Sequence, residues 1–273
     1  MKKRIFINIH YLEIGGAERA LLGLLSSLNP DKVDIDLFVN QHTGEFMPLI
    51  PEWVNLLPEI SEYTCIERPI TTIVKEGHVG IALRRIWAKH KHKQYLNTLT
   101  VEQRQHDASV FQYVADAVEG ALPSLAHLGE YDLAISFLQP HNIVLNKVKA
   151  KKKICWIHTD YSTIHINHDL ELPVWNAFDY VVSISNDCIR AFVQTFPELK
   201  DKIVLIENIL SPLFVRQQAD LYEVKAEMPD EPDVVKILTI GRFSPPKKIE
   251  GIPHICAEME RLGADFRWYV IGY

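Results

Sequence analysis

The stretch Ile5–Val39, IFINIHYLEIGGAERALLGLLSSLNPDKVDIDLFV, decides the fold. Ile5 to Ile9 is a largely apolar run of strand length, followed by a loop that closes on Gly15-Gly16. Ala17, Ala20, Leu21, Leu24, Leu25 and Leu28 then recur in steps of three and four, which turns one apolar stripe of a helix toward a sheet. Asn29-Pro30 ends that helix, and Val33 to Val39 supplies a second strand. Two apolar strands joined through a helix are predicted to lie parallel, with a right-handed crossover.

Beyond this opening, residues 78–98 and 103–122 are predicted helices, the second with Val110, Phe111, Val114, Val118 and Leu122 on one face. Strands are predicted at Leu133–Phe137, Lys153–Ile157, Tyr180–Ile184 and Ile203–Ile206. A helix is expected after Ser185-Asn186, with Asn186 as its N-cap. Residues 216–233 are polar and acidic, with Pro229 and Pro232, and mark a linker. A second β–α–β unit begins at Val234, with a strand to Ile240, a helix from about Ile249 to Leu262 and a strand at Phe266–Ile271. Pro253 fits only the first helical turn, which draws the helix start toward Ile252. The expected organisation is therefore a complete Rossmann-like domain over 1–215, a linker over 216–233, and the start of a second Rossmann-like domain over 234–273.

The 273 residues exceed the usual size of a single core, and 47% hydrophobic with 23% charged residues describes an ordinary globular chain. A formal net charge of −6 excludes wholesale nucleic-acid binding, so an anionic ligand needs a local cationic site. Cys65, Cys155, Cys188 and Cys256 lack CxxC spacing and read as buried apolar fillers in a reducing compartment. The apolar run after Met1-Lys2-Lys3-Arg4 is too short for a signal-peptide core, and no window approaches a membrane span, so a cytoplasmic location is expected.

Ile237 to Lys247, ILTIGRFSPPK, carries the clearest chemistry. A short apolar strand runs into Gly241-Arg242, and a lysine follows five residues later on a loop leading to a helix. Fixed cations and free backbone N–H groups at the carboxyl end of a strand suit a phosphate.

Gly15-Gly16-Ala17-Glu18-Arg19, Trp156-Ile157-His158-Thr159-Asp160 and Gly241-Arg242-Phe243 through Lys247 occur in that order, and together they resemble glycosyltransferase family 4. Val182-Ser183-Ile184-Ser185, Val204-Leu205-Ile206-Glu207-Asn208 and Asp265–Gly272 add to the resemblance, which spans nearly the whole chain. It implies an α/β architecture of GT-B type, with two Rossmann-like domains facing a cleft, the first mostly for acceptor and the second mostly for nucleotide sugar. The implied activity is retaining transfer of a sugar from a nucleotide diphosphate sugar to a saccharide or lipid-linked acceptor, in cell-surface polysaccharide synthesis. The donor is a co-substrate; no cofactor or metal is implied. The family's later pair of glutamates lies beyond Tyr273, so the donor domain is expected to be truncated here. An inactive remnant that only binds acceptor or partner, and a GT-B nucleotide-sugar epimerase or hydrolase, are the alternatives.

The resemblance gives roles to particular residues. Arg242 and Lys247 would stabilise the departing diphosphate, although Lys248 stands where many relatives carry glycine. Gly15 and Gly16 would contact phosphate or acceptor, His158 would align the reacting groups, and Asp160 would orient an acceptor hydroxyl or cap its own turn. Glu18 and Arg19 read as solvated, and His165, His168 and Asp169 lack the further ligand a metal would need. Residues 81–95 carry Arg84, Arg85, Lys89, Lys91 and Lys93 with no acid, and Leu83, Ile86 and Trp87 share a face. That helix is a candidate for peripheral contact with an anionic membrane, and the lysine-rich run 147–153 supports the same expectation.

Overall fold

The computed structural model describes residues 2–220, 222–244 and 247–272; Pro245 and Pro246 of the cationic loop and the terminal Tyr273 lie outside that set. The chain divides into two compact units, 1–215 and 216–273.

Unit 1 is built on strands β1 (Lys3–Ile9), β2 (Val33–Val39), β3 (Asn55–Leu56), β4 (Glu130–Ser136), β5 (Lys149–Ile157), β6 (Tyr180–Ser183) and β7 (Ile203–Leu205). They form one sheet in the order β3-β2-β1-β4-β5-β6-β7, with every pairing parallel. Helix α1 (Gly16–Ser27) connects β1 to β2. Between β3 and β4 lie α2 (Ser61–Thr64), α3 (Ile70–Lys75), α4 (Val79–Leu96), α5 (Val101–Gln105) and α6 (Val110–Glu119). Then come α7 (Asn142–Lys147) before β5, α8 (His168–Asn176) before β6, α9 (Asn186–Thr195) before β7, and α10 (Pro212–Ala219) after it.

A parallel sheet needs both faces covered, and alternate side chains of each strand go to opposite cores. Ile5, Ile7 and Ile9 of β1 join Ala20, Leu21 and Leu25 of α1 on one face. Phe6 packs on the other face with Phe38, Tyr63 and Tyr131, in a core shared with Val118 of α6, Trp175 of α8 and Phe192 of α9. Gly23 faces Ile209, so close that a Cβ there would lie 1.9 Å from the Ile209 carbonyl oxygen.

Several expectations are corrected. The predicted helix 103–122 is two helices, α5 and α6, because the chain between them pairs with His165: Ala108 N–H donates to His165 O and His165 N–H donates to His106 O, each at 2.8 Å. Ser185, and not Asn186, caps α9, its hydroxyl accepting from Cys188 N at 3.1 Å. Strand β5 starts at Lys149 instead of Lys153, since its lysines find aspartates beside them: Lys151 meets Asp132 and Lys152 meets Asp179, both at 2.7 Å. Helix α10 runs into the segment marked as a linker. Cys188 and Cys256 are half-buried, whereas Cys65 and Cys155 are buried.

In unit 2, β8 (Val235–Ile240) pairs in parallel with β9 (Phe266–Ile271), with α11 (Ile252–Arg261) between them in sequence. Helix α11 begins where Pro253 falls in its first turn, a position that needs no amide hydrogen. Val235, Leu238, Ile240, Ile255, Leu262 and Ile271 are exposed.

Candidate functional site

In unit 1 the chain runs outward from β1 to β2 and β3 and then returns to β4 on the other side of β1, so the strand order reverses between β1 and β4, and open parallel sheets offer their ligand crevice at such a point. Gly15 stands just before α1 in extended conformation, and Gly16 opens the helix. A Cβ on Gly15 would meet Glu18 Oε2 at 2.0 Å, so the glycine is what lets that carboxylate fold back over the helix start. Glu18 is thus buried, against the expectation that it is solvated, while Arg19 is exposed. Placing a carboxylate at this positive helix end uses the dipole that an incoming anion would seek.

His158 follows β5 directly. Its ring packs on Phe137 at 4.6 Å, and its Nε2 is buried with no hydrogen-bond partner within the protein. Burial holds its pKa down at about 4, so the ring is neutral near pH 7. Asp160, two residues on, accepts from Ser162 N at 2.9 Å and Ser162 Oγ at 2.6 Å. Those bonds lower its pKa, keep it ionised and cap the turn at the rim. The structure thus brings His158 and Asp160 together by sequence on one strand-end turn.

Sequence reasoning missed two buried titratable groups behind that turn. His141 is 1% exposed, with Nδ1 2.8 Å from Ser136 Oγ and its ring edge-on to Trp175 at 4.4 Å. Its pKa is pushed down to about 3, first by burial and then by neighbouring His158. Glu171 is 2% exposed, and its Oε2 accepts from Trp175 Nε1 at 3.2 Å and Tyr161 OH at 3.4 Å. Burial raises its pKa to about 7. A weaker signal for His141 was present: it lies in the loop five residues past the end of β4, whereas His158 follows β5 directly.

At the end of β1, Asn8 Nδ2 donates to Asn40 Oδ1 at 2.7 Å, and Asn40 Nδ2 lies 3.3 Å from His10 Nδ1. His10 is buried, which lowers its pKa, with Glu67 and Glu13 pulling the other way.

In unit 2, Arg242 and Lys247 are exposed beyond the end of β8. The stem of Lys247 lies over Gly241, whose added Cβ would touch Lys247 Cγ at 3.6 Å. Gly241 N–H donates to Ile271 O at 2.9 Å, and a Cβ on Gly272 would meet Gly241 O at 1.9 Å, so this turn is closed by glycine on both strands. Lys248 adopts a left-handed φ of 50°, the conformation for which glycine is the usual residue. An open pocket of about 260 Å³ adjoins the loop, lined by Phe243, Ser244, Ile249 and Glu250. Among the described residues no group of three or more metal-ligating side chains comes together.

The basic segments divide. Leu83, Ile86 and Trp87 of α4 are 61, 50 and 53% exposed, and Lys91 Nζ sits 3.8 Å over the Trp87 ring. Arg85, however, is buried and donates to the backbone of Cys65, Arg68 and Glu67, so it leaves the cationic face. The 147–153 run does not add to that face: Lys151 and Lys152 are paired, and Lys153 Nζ donates to Leu145 O. No helix among the described residues is long and apolar enough to cross a membrane.

No protein-family model matches the chain, and no curated protein matches it by sequence. Solved structures do match. A glycosyltransferase from Rickettsia africae ESF-5 is 13% identical, with a TM-score of 0.51 over 99% of this chain and 60% of that one. A TarM variant from S. aureus, solved with fondaparinux, alpha-GlcNAc-glycerol and UDP, is 11% identical, with a TM-score of 0.50 over 99% of this chain and 73% of that one. The α/β fold is that of the GT-B glycosyltransferases.

Proposed function

We propose that this protein is a retaining glycosyltransferase that moves a sugar from a nucleotide diphosphate sugar to a saccharide or lipid-linked acceptor. The observation that carries the reading is the neutral His158, with a buried Nε2 unpartnered within the protein, at the carboxyl edge of a parallel sheet of GT-B type. TarM, of similar fold, was solved with UDP and a sugar-glycerol compound, which supports a nucleotide donor and a hydroxyl acceptor. In the proposed reaction the bond from the anomeric carbon to the diphosphate oxygen breaks while the acceptor oxygen bonds to the same face. The acceptor's proton leaves with the phosphate.

Arg242 and Lys247 offset the charge that grows on the diphosphate, more in the transition state than in the ground state. His158 hydrogen-bonds a sugar hydroxyl, and Asp160 orients the acceptor. Gly15-Gly16, at the start of α1, contact the donor phosphate or the acceptor. The exposed face of α4 supports peripheral contact with an anionic membrane surface; a cytoplasmic location at the inner face of the membrane and a role in cell-surface polysaccharide synthesis complete the proposal.

The test is to incubate the full chain with UDP-, GDP- and dTDP-linked hexoses and octyl hexosides, and to weigh the glycosylated products. Arg242→Ala and Lys247→Ala should each lower transfer about a hundredfold, the usual effect of losing one such electrostatic contact. Absence of transfer by the unaltered chain across the panel would overturn the reading.

A further inference from the structure

The turn that carries His158 and Asp160 belongs to the segment 158–167 between β5 and α8, and its far end is tied down unusually well. His165 forms the two-bond bridge with residues 106–108 that splits α5 from α6. Tyr95, on the last turn of α4, places its hydroxyl 3.1 Å from His165 Nε2 and 3.2 Å from Ile166 O. A phenol has one proton, so donating to the Ile166 carbonyl leaves it an acceptor toward His165, whose Nε2 must then be the protonated nitrogen. The Tyr95 and His165 rings stack, nearly parallel at 9°. Asn167 accepts from Leu170 N to cap α8 and donates to Tyr113 OH of α6 at 2.9 Å. The bridge itself is braced, since Asp107 takes His92 Nε2 and Ser109 Oγ, each at 2.7 Å. On the near side, Tyr161 is buried against Trp175, Phe192 and Phe196.

Resting on the transferase reading, we propose that Tyr95 and His165 are positioning residues: they hold the segment's far end so that the 159–163 turn presents Asp160 in one geometry. They touch no reacting atom and act through the segment between two anchors. This gives the helix break at 106–109 a purpose, since helical hydrogen bonds there are exchanged for the bridge to His165.

Tyr95→Phe in the full chain removes the hydroxyl while keeping the stacked ring. Hydrogen–deuterium exchange should rise about tenfold at the amides of 159–167, the effect of one lost hydrogen bond. Transfer to octyl hexosides should lose kcat/KM by a similar factor, with the KM for the nucleotide sugar unchanged. His165→Gln, which keeps a donor near Tyr95, should recover more of that transfer than His165→Ala. Unchanged exchange at 159–167, a rise spread over the whole of unit 1, or faster local exchange with unaltered transfer would each overturn the proposal. Should the unaltered chain transfer nothing, the transferase reading fails, and the exchange data alone decide whether the anchor exists.

Discussion

Glu171→Gln isolates the cost of a buried carboxylate. Glu171 moves from an ordinary glutamate pKa of 4.5 to about 7, mainly by burial, with Trp175 and Tyr161 donating to it and partly offsetting that rise. That displacement corresponds to roughly 3 kcal/mol between the two protonation states, about 1.4 kcal/mol for each tenfold in the equilibrium. The sign follows from which state holds the proton. Below pH 4.5 both folded and unfolded chains carry it, and the site costs nothing. Between 4.5 and 7 the unfolded chain ionises while the native one does not, so stability falls as pH rises, and it levels off above 7. Glutamine has no such dependence, and its carbonyl oxygen can accept both donors. The substitution should therefore be near neutral at pH 4.5 and stabilise by up to about 3 kcal/mol at pH 8. Urea unfolding of both proteins at half-unit steps of pH, followed by tryptophan fluorescence, reads this directly. A difference between the two proteins that is the same at every pH would refute the reasoning.

Gly23→Ala should destabilise unit 1 by about 1–2 kcal/mol, because the new methyl must displace the Ile209 carbonyl, a strain larger than the helix-propensity gain. A raised urea midpoint would contradict that packing. Leu83→Ser with Trp87→Ser should weaken sedimentation with phosphatidylglycerol vesicles at least about tenfold, by removing exposed apolar area. Equal binding to neutral phosphatidylcholine vesicles would sink the claim that Lys89, Lys91 and Lys93 guide the contact.

What was legible in the sequence was whatever local periodicity encodes. Parallel strands read as short apolar runs, so β1, β2, β4, β6 and β8 emerge from residues such as Ile, Val, Leu and Phe, and α1 and α4 from their spacing. Two of the misses share a cause, a deciding partner far along the chain, and a third turns on a local contact that periodicity does not encode. Lys149–Lys152 look like loop until Asp132 and Asp179 are set beside them. Asp107-Ala108 look like helix until His165 pairs there. Glu18 reads as solvated until Gly15 is seen to make room for its carboxylate. His158 was singled out from its place after a strand, whereas Glu171 sits in a helix where Trp175, four residues on, is the local part of its aromatic surroundings and Tyr161 comes from the preceding segment.

The distribution of charge in unit 1 bears on the proposed chemistry. At the amino edge of the sheet, Lys2, Arg4, Lys151 and Lys152 each face an aspartate: Asp34, Asp36, Asp132 and Asp179 in turn. These pairs lie at the surface and add little to stability, but they offset one another's charge there. At the carboxyl edge stand imidazoles held neutral, buried His141 and half-buried His158, with their pKa values depressed by burial. Neutral imidazoles suit hydroxyl groups, which need hydrogen-bond partners and not countercharge, and Arg19 in the first turns of α1 is the exposed cation nearest in sequence to the end of β1. The exposed cations that would suit a diphosphate, Arg242 and Lys247, stand in unit 2. The division predicts that raising ionic strength should weaken nucleotide diphosphate binding while leaving saccharide binding to unit 1 nearly unchanged. Salt-sensitive saccharide binding would mean that the edge of unit 1 works through charge after all.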